Sequence, residues 1–208
     1  MRFTPIPLDG AVALVTGGAR GIGFAIAELL AQQGATVVVA DLYQPDAIEA
    51  ATRIGHGALG LGLDVGDDDA YAAVVEAVEL AVGPIDIVVN NAGIMPVGRV
   101  LEERYGVARA TMEANFWSHY HSYRILAPRM IARGRGHFIN VTSAGGAIHS
   151  PGLATYVASK HAATGFARGV REELVGTGVT VSVVMPSAVQ TELVSGIPFK
   201  RWERRGIV

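Results

Sequence analysis

Ala11-Val12-Ala13-Leu14-Val15-Thr16-Gly17-Gly18-Ala19-Arg20-Gly21-Ile22-Gly23 joins a continuous apolar run to a glycine-rich turn, and a helical pattern follows through Gln33. A run without polar alternation is expected of a strand covered on both faces. Glycines at the turn let the backbone bend sharply and come close to a pyrophosphate, whose charge suits the positive end of the following helix. The spacing is Gly-x-x-x-Gly-x-Gly rather than Gly-x-Gly-x-x-Gly. A glycine turn alone is weak evidence for a dinucleotide, and the neighbouring segments must carry the rest.

Working outward, Gly34 stops the helix and Thr36-Val37-Val38-Val39-Ala40 forms a second buried run ending in Asp41. A carboxylate about 20 residues past the glycines is placed to grip a ribose diol. It would repel a 2′-phosphate, so NAD is expected. Arg20 argues the other way, since a basic residue in the turn could meet that phosphate and favour NADP. Asp41 also reads as an ordinary strand-end turn residue. The alternation continues with a poor, short helix over 45–54 and a third strand over 58–63, closed by Asp64-Val65. A helix over 67–82 opens with three aspartates that suit its dipole. Gly83-Pro84 breaks it, and Ile85-Asp86-Ile87-Val88-Val89 leads into Asn90-Asn91-Ala92-Gly93. Those amides could hold neighbouring loops and a ribose together, although alone they read as a turn.

A long helix is expected over 101–132, with Asn115 on a stripe with Met112 and Phe116. Mid-helix asparagine is disfavoured unless its side chain has a partner or solvent. Phe116, Trp117, Tyr120 and Tyr123 give this helix a large aromatic surface, for which core packing is preferred over a partner helix. Gly136 to Thr142 reads as a fifth strand, a helix then runs to about residue 175, and 179–185 is a sixth strand before Pro186-Ser187-Ala188-Val189-Gln190-Thr191. Six strands alternating with helices specify an α/β, doubly wound parallel sheet in one domain. Such sheets bind ligands at the carboxyl ends of their strands. Gly17, Asp41, Asp64, Asn91, Ser143 and Pro186 all fall there.

Tyr156 and Lys160 stand four apart in an Ala-rich segment, so on a helix they share a face, and Ser143 ends the fifth strand. A phenol, an ammonium and a hydroxyl converging there can move a proton on and off an alcohol or carbonyl oxygen. Tyrosine has a reference pKa near 10. Lowering it by roughly 3 units takes about 4 kcal/mol, more than one exposed ammonium normally gives, so a second positive charge such as an oxidised nicotinamide is implied. Taken alone, Tyr-x-x-x-Lys is more readily a half-buried helix face, and the rest of the chain changes that reading.

Composition narrows the remaining classes. The 208 residues are 50% hydrophobic with net charge −2, which gives no field for a polyanion; the basic run 200–205 reads as a solvated end. No cysteine is present, so disulfides and thiolate metal sites are excluded. His119 and His121 would diverge on a helix, the six histidines lack ligand spacing, and no metal is expected. The start lacks an apolar signal core and no later run nears 18 apolar residues, so a cytoplasmic protein with neither membrane nor nucleic-acid partner is expected.

With these motifs in order, the chain resembles the short-chain dehydrogenase/reductase family over roughly residues 8–194. Thr16-Gly17-Gly18-Ala19-Arg20-Gly21-Ile22-Gly23 looks like its cofactor turn, Asp64-Val65 its adenine contact, and Asn90-Asn91-Ala92-Gly93 its strand-four motif. Asn115, Ser143, Tyr156 and Lys160 fall where the family's catalytic tetrad would, with the usual Ser-to-Tyr interval. The resemblance implies a Rossmann-like strand order 3-2-1-4-5-6, Tyr156 as general acid/base, Lys160 on the nicotinamide ribose, Ser143 orienting the substrate oxygen and Asn115 supporting a proton-relaying water. It implies cofactor contacts from Gly17, Arg20, Gly21, Ile22, Gly23, Asp41, Asp64, Val65, Asn91, Pro186, Val189 and Thr191.

Two departures qualify it. Pro186-Ser187 stands where the family usually has Pro-Gly, which alters the loop over the nicotinamide. Members usually continue past the position of Val208 into another helix and a seventh strand. Without them the sixth strand is an exposed apolar edge, so a C-terminal part is expected to be missing from this chain or supplied by a neighbouring subunit. The expected function is oxidation of a secondary alcohol or reduction of a ketone with NAD, by a homo-oligomer (dimer or tetramer) acting on a moderately hydrophobic small molecule. The alternatives are a non-catalytic dinucleotide-binding sensor or scaffold, and an epimerase or dehydratase on the same fold. Walls at 94–97, 144–152 and beyond Thr191 are expected to be mostly apolar, with His149 as their titratable group.

Overall fold

Helices cover both faces of β1 (Val12–Thr16), which is why its five residues are buried in succession. The computed structural model describes residues 5–144, 151–187, 189 and 193. Side chains along β1 alternate between two cores. Val12 and Leu14 join Tyr71, Val75, Leu126 and Phe138 on one face; Ala13 and Val15 join Ala27, Ala31, Ala47 and Ala51 on the other. The first core is closed by α3 (Asp68–Ala81), α5 (Ser118–Arg133) and α6 (Ala154–Glu173), the second by α1 (Gly21–Gln32) and α2 (Gln44–Ile54). Small alanines on α1 and α2 bring those helices close to the sheet.

The other strands are β2 (Thr36–Asp41), β3 (Leu59–Gly62), β4 (Ile87–Asn90), β5 (Gly136–Val141) and β6 (Val179–Val184). All pairs are parallel and the order is β3-β2-β1-β4-β5-β6, as expected. The order reverses between β1 and β4, where crossovers depart to opposite faces and leave a crevice at the carboxyl ends. β6 pairs with β5 alone among the described residues. Its Val179 and Val181 turn inward and are buried.

Two sequence expectations need correction. Segment 45–54 is not a poor, short helix: α2 spans 11 residues. Pro45 sits in its first turn, where no N–H is required, and Ala47, Ala50, Ala51 and Ile54 are buried. The helix expected over 101–132 starts only at α4 (Tyr105–Met112) and is interrupted by a π-helical turn, Glu113–Trp117, before α5. Hydrophobic periodicity cannot register that extra residue, because the turn is set by where Asn115 must point.

Candidate active site

The glycine turn is shaped by contacts that no larger residue could make. Gly17 has φ 60°, and a Cβ there would lie 2.8 Å from the Ala92 Cα; one on Gly23 would lie 2.2 Å from the Gly17 carbonyl oxygen. Asn91 ties the first and fourth strand ends together, its Nδ2 donating to the carbonyls of Thr16 (3.0 Å) and Gly17 (2.9 Å). Thr16 completes the tie: its Oγ1 accepts from the amides of Asn91 (3.1 Å) and Ala92 (3.2 Å) and donates to the Val89 carbonyl (3.2 Å). The Asp41 carboxylate accepts from the amides of Ala19 (3.1 Å) and Leu42 (2.9 Å), so the end of β2 grips the turn.

A cleft of about 760 Å³ opens over these strand ends. Gly17, Arg20, Gly21, Ile22, Asp41, Asp64, Val65 and Asn91, all named from the sequence, line it together. Leu42, Tyr43, Gly93, Ile94, Met95 and Pro96 extend it at either end. Gly23 serves instead by packing against Gly17 and Asn91. The amino end of α1 opens without a side-chain cap on its N–H groups. A long cleft, an uncapped helix start and a close-approach glycine turn fit a dinucleotide.

Ser143 is held by continuation of the β5–β6 ladder past the strand ends: Thr142 N donates to the Val184 carbonyl and Ala144 N to the Pro186 carbonyl, each at 2.9 Å. Its hydroxyl is hydrogen-bonded with the Tyr156 phenol. Tyr156 and Lys160 share the buried face of α6, at 8% and 4% exposure. Within the chain itself, the phenol's surroundings act in opposite directions. Burial pushes Tyr156 above its ordinary value, and the Ser143 hydroxyl is what pulls it down. Lys160 donates to the Val141 carbonyl at 3.2 Å, and burial lowers its own pKa to about 8. Desolvation weakens the ammonium that the sequence argument relied on.

Asn115, fully buried in the π-helical turn, has three partners. Its Oδ1 accepts from Ile94 N (2.8 Å), and its Nδ2 donates to the Ile94 carbonyl (2.9 Å) and to Ser159 Oγ (2.9 Å). The side chain is satisfied by protein groups and braces the start of the loop after β4. Gly93 lets this brace close: a Cβ there would meet Asn115 Oδ1 at 2.7 Å and Lys160 Nζ at 3.3 Å.

Sequence reasoning missed Ser159, whose Oγ donates to the Tyr156 carbonyl at 2.7 Å and links Asn115 to α6. Its place directly before Lys160 was the available signal. His119 was read as packing or surface; it is fully buried, with Nδ1 3.0 Å from Asn140 Oδ1, an oxygen that also accepts from Asn90 Nδ2 at 3.1 Å. An amide oxygen only accepts, so Nδ1 carries the hydrogen. Burial and the Lys160 charge lower this histidine's pKa to about 3. Pro186 ends the ladder beside Ser143, and Val189 is exposed. Thr191, His149 with the rest of 145–150, and the basic run 200–205 lie outside the described residues. Among the described residues no group of acidic and histidine side chains could hold a metal, and no helix is long and apolar enough to cross a membrane.

The chain belongs to the short-chain dehydrogenase family, whose model matches residues 11–201. It is an oxidoreductase of a family that binds a nicotinamide dinucleotide. Among its relatives, the 3-oxoacyl-(acyl-carrier-protein) reductase FabG of Vibrio cholerae is 34% identical over 91% of this chain and 78% of the relative. The 1-deoxy-11-beta-hydroxypentalenate dehydrogenase of Streptomyces exfoliatus is 38% identical over 93% of this chain and 73% of the relative. A solved metagenomic short-chain oxidoreductase in complex with NADP superposes with a TM-score of 0.83 at 36% identity, over 89% of this chain and 86% of that one.

Proposed function

We propose that the protein interconverts a secondary alcohol and a ketone, with NAD as cofactor. The observation that carries this reading is the meeting of Tyr156, Ser143 and Lys160 beside the Gly93 end of a dinucleotide-shaped cleft. The bound dinucleotide would accept or supply the hydride. The chain's own groups handle the oxygen and its proton. Burial holds the phenol protonated, the form that donates to a ketone oxygen as hydride arrives at carbon. Ser143, already bonded to that phenol, would hold the substrate oxygen against it. Lys160 keeps a cation within the buried face, and Asn115 with Ser159 fixes α6 against the loop after β4.

Asp41 supports NAD, since its carboxylate stands in the cleft where a 2′-phosphate would be repelled. Arg20 in the same cleft and the NADP-bound neighbour favour the second reading, NADP. Ile94, Met95 and Pro96 support a substrate with an apolar skeleton. The two relatives' names, one a 3-oxoacyl group and the other a hydroxypentalenate, are of that kind. A homo-oligomer is part of the proposal: Trp117 remains 40% exposed within an aromatic cluster with Phe116 and Tyr120. Light scattering that finds only monomer would remove that part.

The test mixes purified protein with each dinucleotide and a panel of secondary alcohols and ketones, following reduced-nicotinamide absorbance. Turnover by the native chain with tighter binding of NAD is expected, and Tyr156→Phe should bind dinucleotide yet turn over at least about a hundredfold more slowly. Full activity in that variant would end the assignment. Binding without turnover by the native chain would favour a non-catalytic sensor.

A further inference from the structure

The loop that leaves β4 passes the substrate end of the cleft and is fastened at three points before α4 begins. Asn115 holds Ile94 through both of its backbone groups. Gly98 N donates to the Gly152 carbonyl at 2.9 Å. Thr155, the second residue of α6, donates its hydroxyl hydrogen to Glu103 Oε2 at 2.5 Å. That contact joins a hydroxyl donor on α6 to a carboxylate oxygen on the loop. The next residue along α6 is Tyr156. Both outer fasteners therefore join the loop to the segment that positions the phenol.

The loop has a lined side and an open side. Met95 and Pro96 face the cleft, while Val97, Val100 and Leu101 are 58%, 65% and 96% exposed. Little packing holds the outer half in place, so its position depends on its polar anchors. Gly152 brings the two segments together: at φ 85° it leaves its side-chain space to Val97, whose Cγ1 lies 3.5 Å from where a Cβ would stand.

We propose that Glu103 is a positioning residue that latches the loop to the amino end of α6 and so sets the substrate end of the cleft. This deepens the alcohol–ketone reading and rests on it. The Asn115 brace and the Gly98–Gly152 pair do not involve the side chain at 103. Loss of the carboxylate therefore releases residues 99–104 and leaves the dinucleotide end, built on β1 and β2, as it was.

The test compares Glu103→Ala, Thr155→Val, their double variant and Thr155→Ser in the full chain. It reads amide hydrogen exchange over 99–104, tryptic cleavage after the exposed Arg99 and Arg104, NAD affinity, and KM and kcat with the best alcohol of the panel. Each of the first two substitutions is expected to speed exchange and cleavage by about tenfold, the scale of one side-chain hydrogen bond. KM should rise by a similar factor with kcat within about twofold, and NAD affinity should hold. The double variant should do no more than either single one, because both remove the same bond, and Thr155→Ser should behave as the native chain. Unchanged exchange, additive effects, a fall in kcat at constant KM or a loss of NAD affinity would each overturn the latch. A native chain that turns over no alcohol or ketone sinks the alcohol–ketone reading instead, and exchange and cleavage still decide the latch.

Discussion

Asn115 and Ile94 form a reciprocal pair: the side-chain oxygen takes the Ile94 amide at 2.8 Å while the side-chain nitrogen gives to the Ile94 carbonyl at 2.9 Å. One amide side chain thereby replaces a missing stretch of ladder beyond β4 and faces the loop into the cleft. Asn115→Leu keeps the side-chain branching but leaves both Ile94 groups without their partner and removes a donor to Ser159 Oγ. A loss of about 1–3 kcal/mol in urea unfolding is expected, together with reduced turnover. Asn115→Asp keeps an acceptor for the Ile94 amide but sets a carboxylate oxygen against the Ile94 carbonyl in a buried site, so it should cost at least as much as leucine. Equal stability of all three would show the pair to be dispensable.

His119 and Lys160 predict two separate limbs of the stability profile. His119 has a folded pKa of about 3 against an ordinary 6.5, so between those values the unfolded chain binds a proton the folded one refuses. Stability from this group falls as pH drops from 6.5 towards 3, and half-buried His137, also shifted down by desolvation, acts in the same sense. Lys160 gives up its proton near 8 when folded and near 10.5 when unfolded, so its contribution rises with pH across that interval. Tyr156, Tyr71 and Tyr123, all shifted upward from 10.0, oppose that rise from about pH 10. Urea unfolding against pH should show His119→Gln with a shallower acid limb and Lys160→Met without the rise between 8 and 10. Slopes identical to the native chain would contradict both assignments.

Gly23→Ala tests the glycine turn. Its new methyl would stand 2.2 Å from the Gly17 carbonyl oxygen and 2.5 Å from Asn91 Nδ2, and the former is backbone that cannot step aside. Overpacking of this kind costs about 1–3 kcal/mol, and the shift of Gly17 should weaken dinucleotide binding as well. Calorimetric titration with NAD, beside a melting curve, checks both effects. A variant with native affinity would mean that the turn does not touch the cofactor.

Asp41→Ala removes the charge from the end of β2. The ratio of NADP to NAD affinity is expected to rise by at least about tenfold, because a like-charge contact with the 2′-phosphate disappears. Titration with each dinucleotide reads the ratio directly. If the native chain already prefers NADP and the variant does not shift, Arg20 decides the choice and Asp41 only fastens Ala19 and Leu42.

The strands, their parallel arrangement and most of the cleft were readable in the sequence because each depends on short-range pattern, whereas the strand order came from the family resemblance. Unbroken apolar runs mark strands covered on both sides, glycines mark where backbone must approach backbone, and a strand-end residue falls at the carboxyl edge in any doubly wound sheet. Gly17, Asp41, Asp64 and Asn91 could therefore be placed together without coordinates.

The chain folding on itself decided the rest. The π-helical turn at Asn115, the role of Ser159, the commitment of Lys160 to the Val141 carbonyl and the bond between Thr155 and Glu103 join residues 19 to 52 positions apart. No local period records such pairs. Burial also acts on Tyr156 and Lys160 in a way no local pattern records. Residue type supplies a charge, but only the packed interior determines how far water is removed from it, and desolvation here raises the phenol and weakens the amine together.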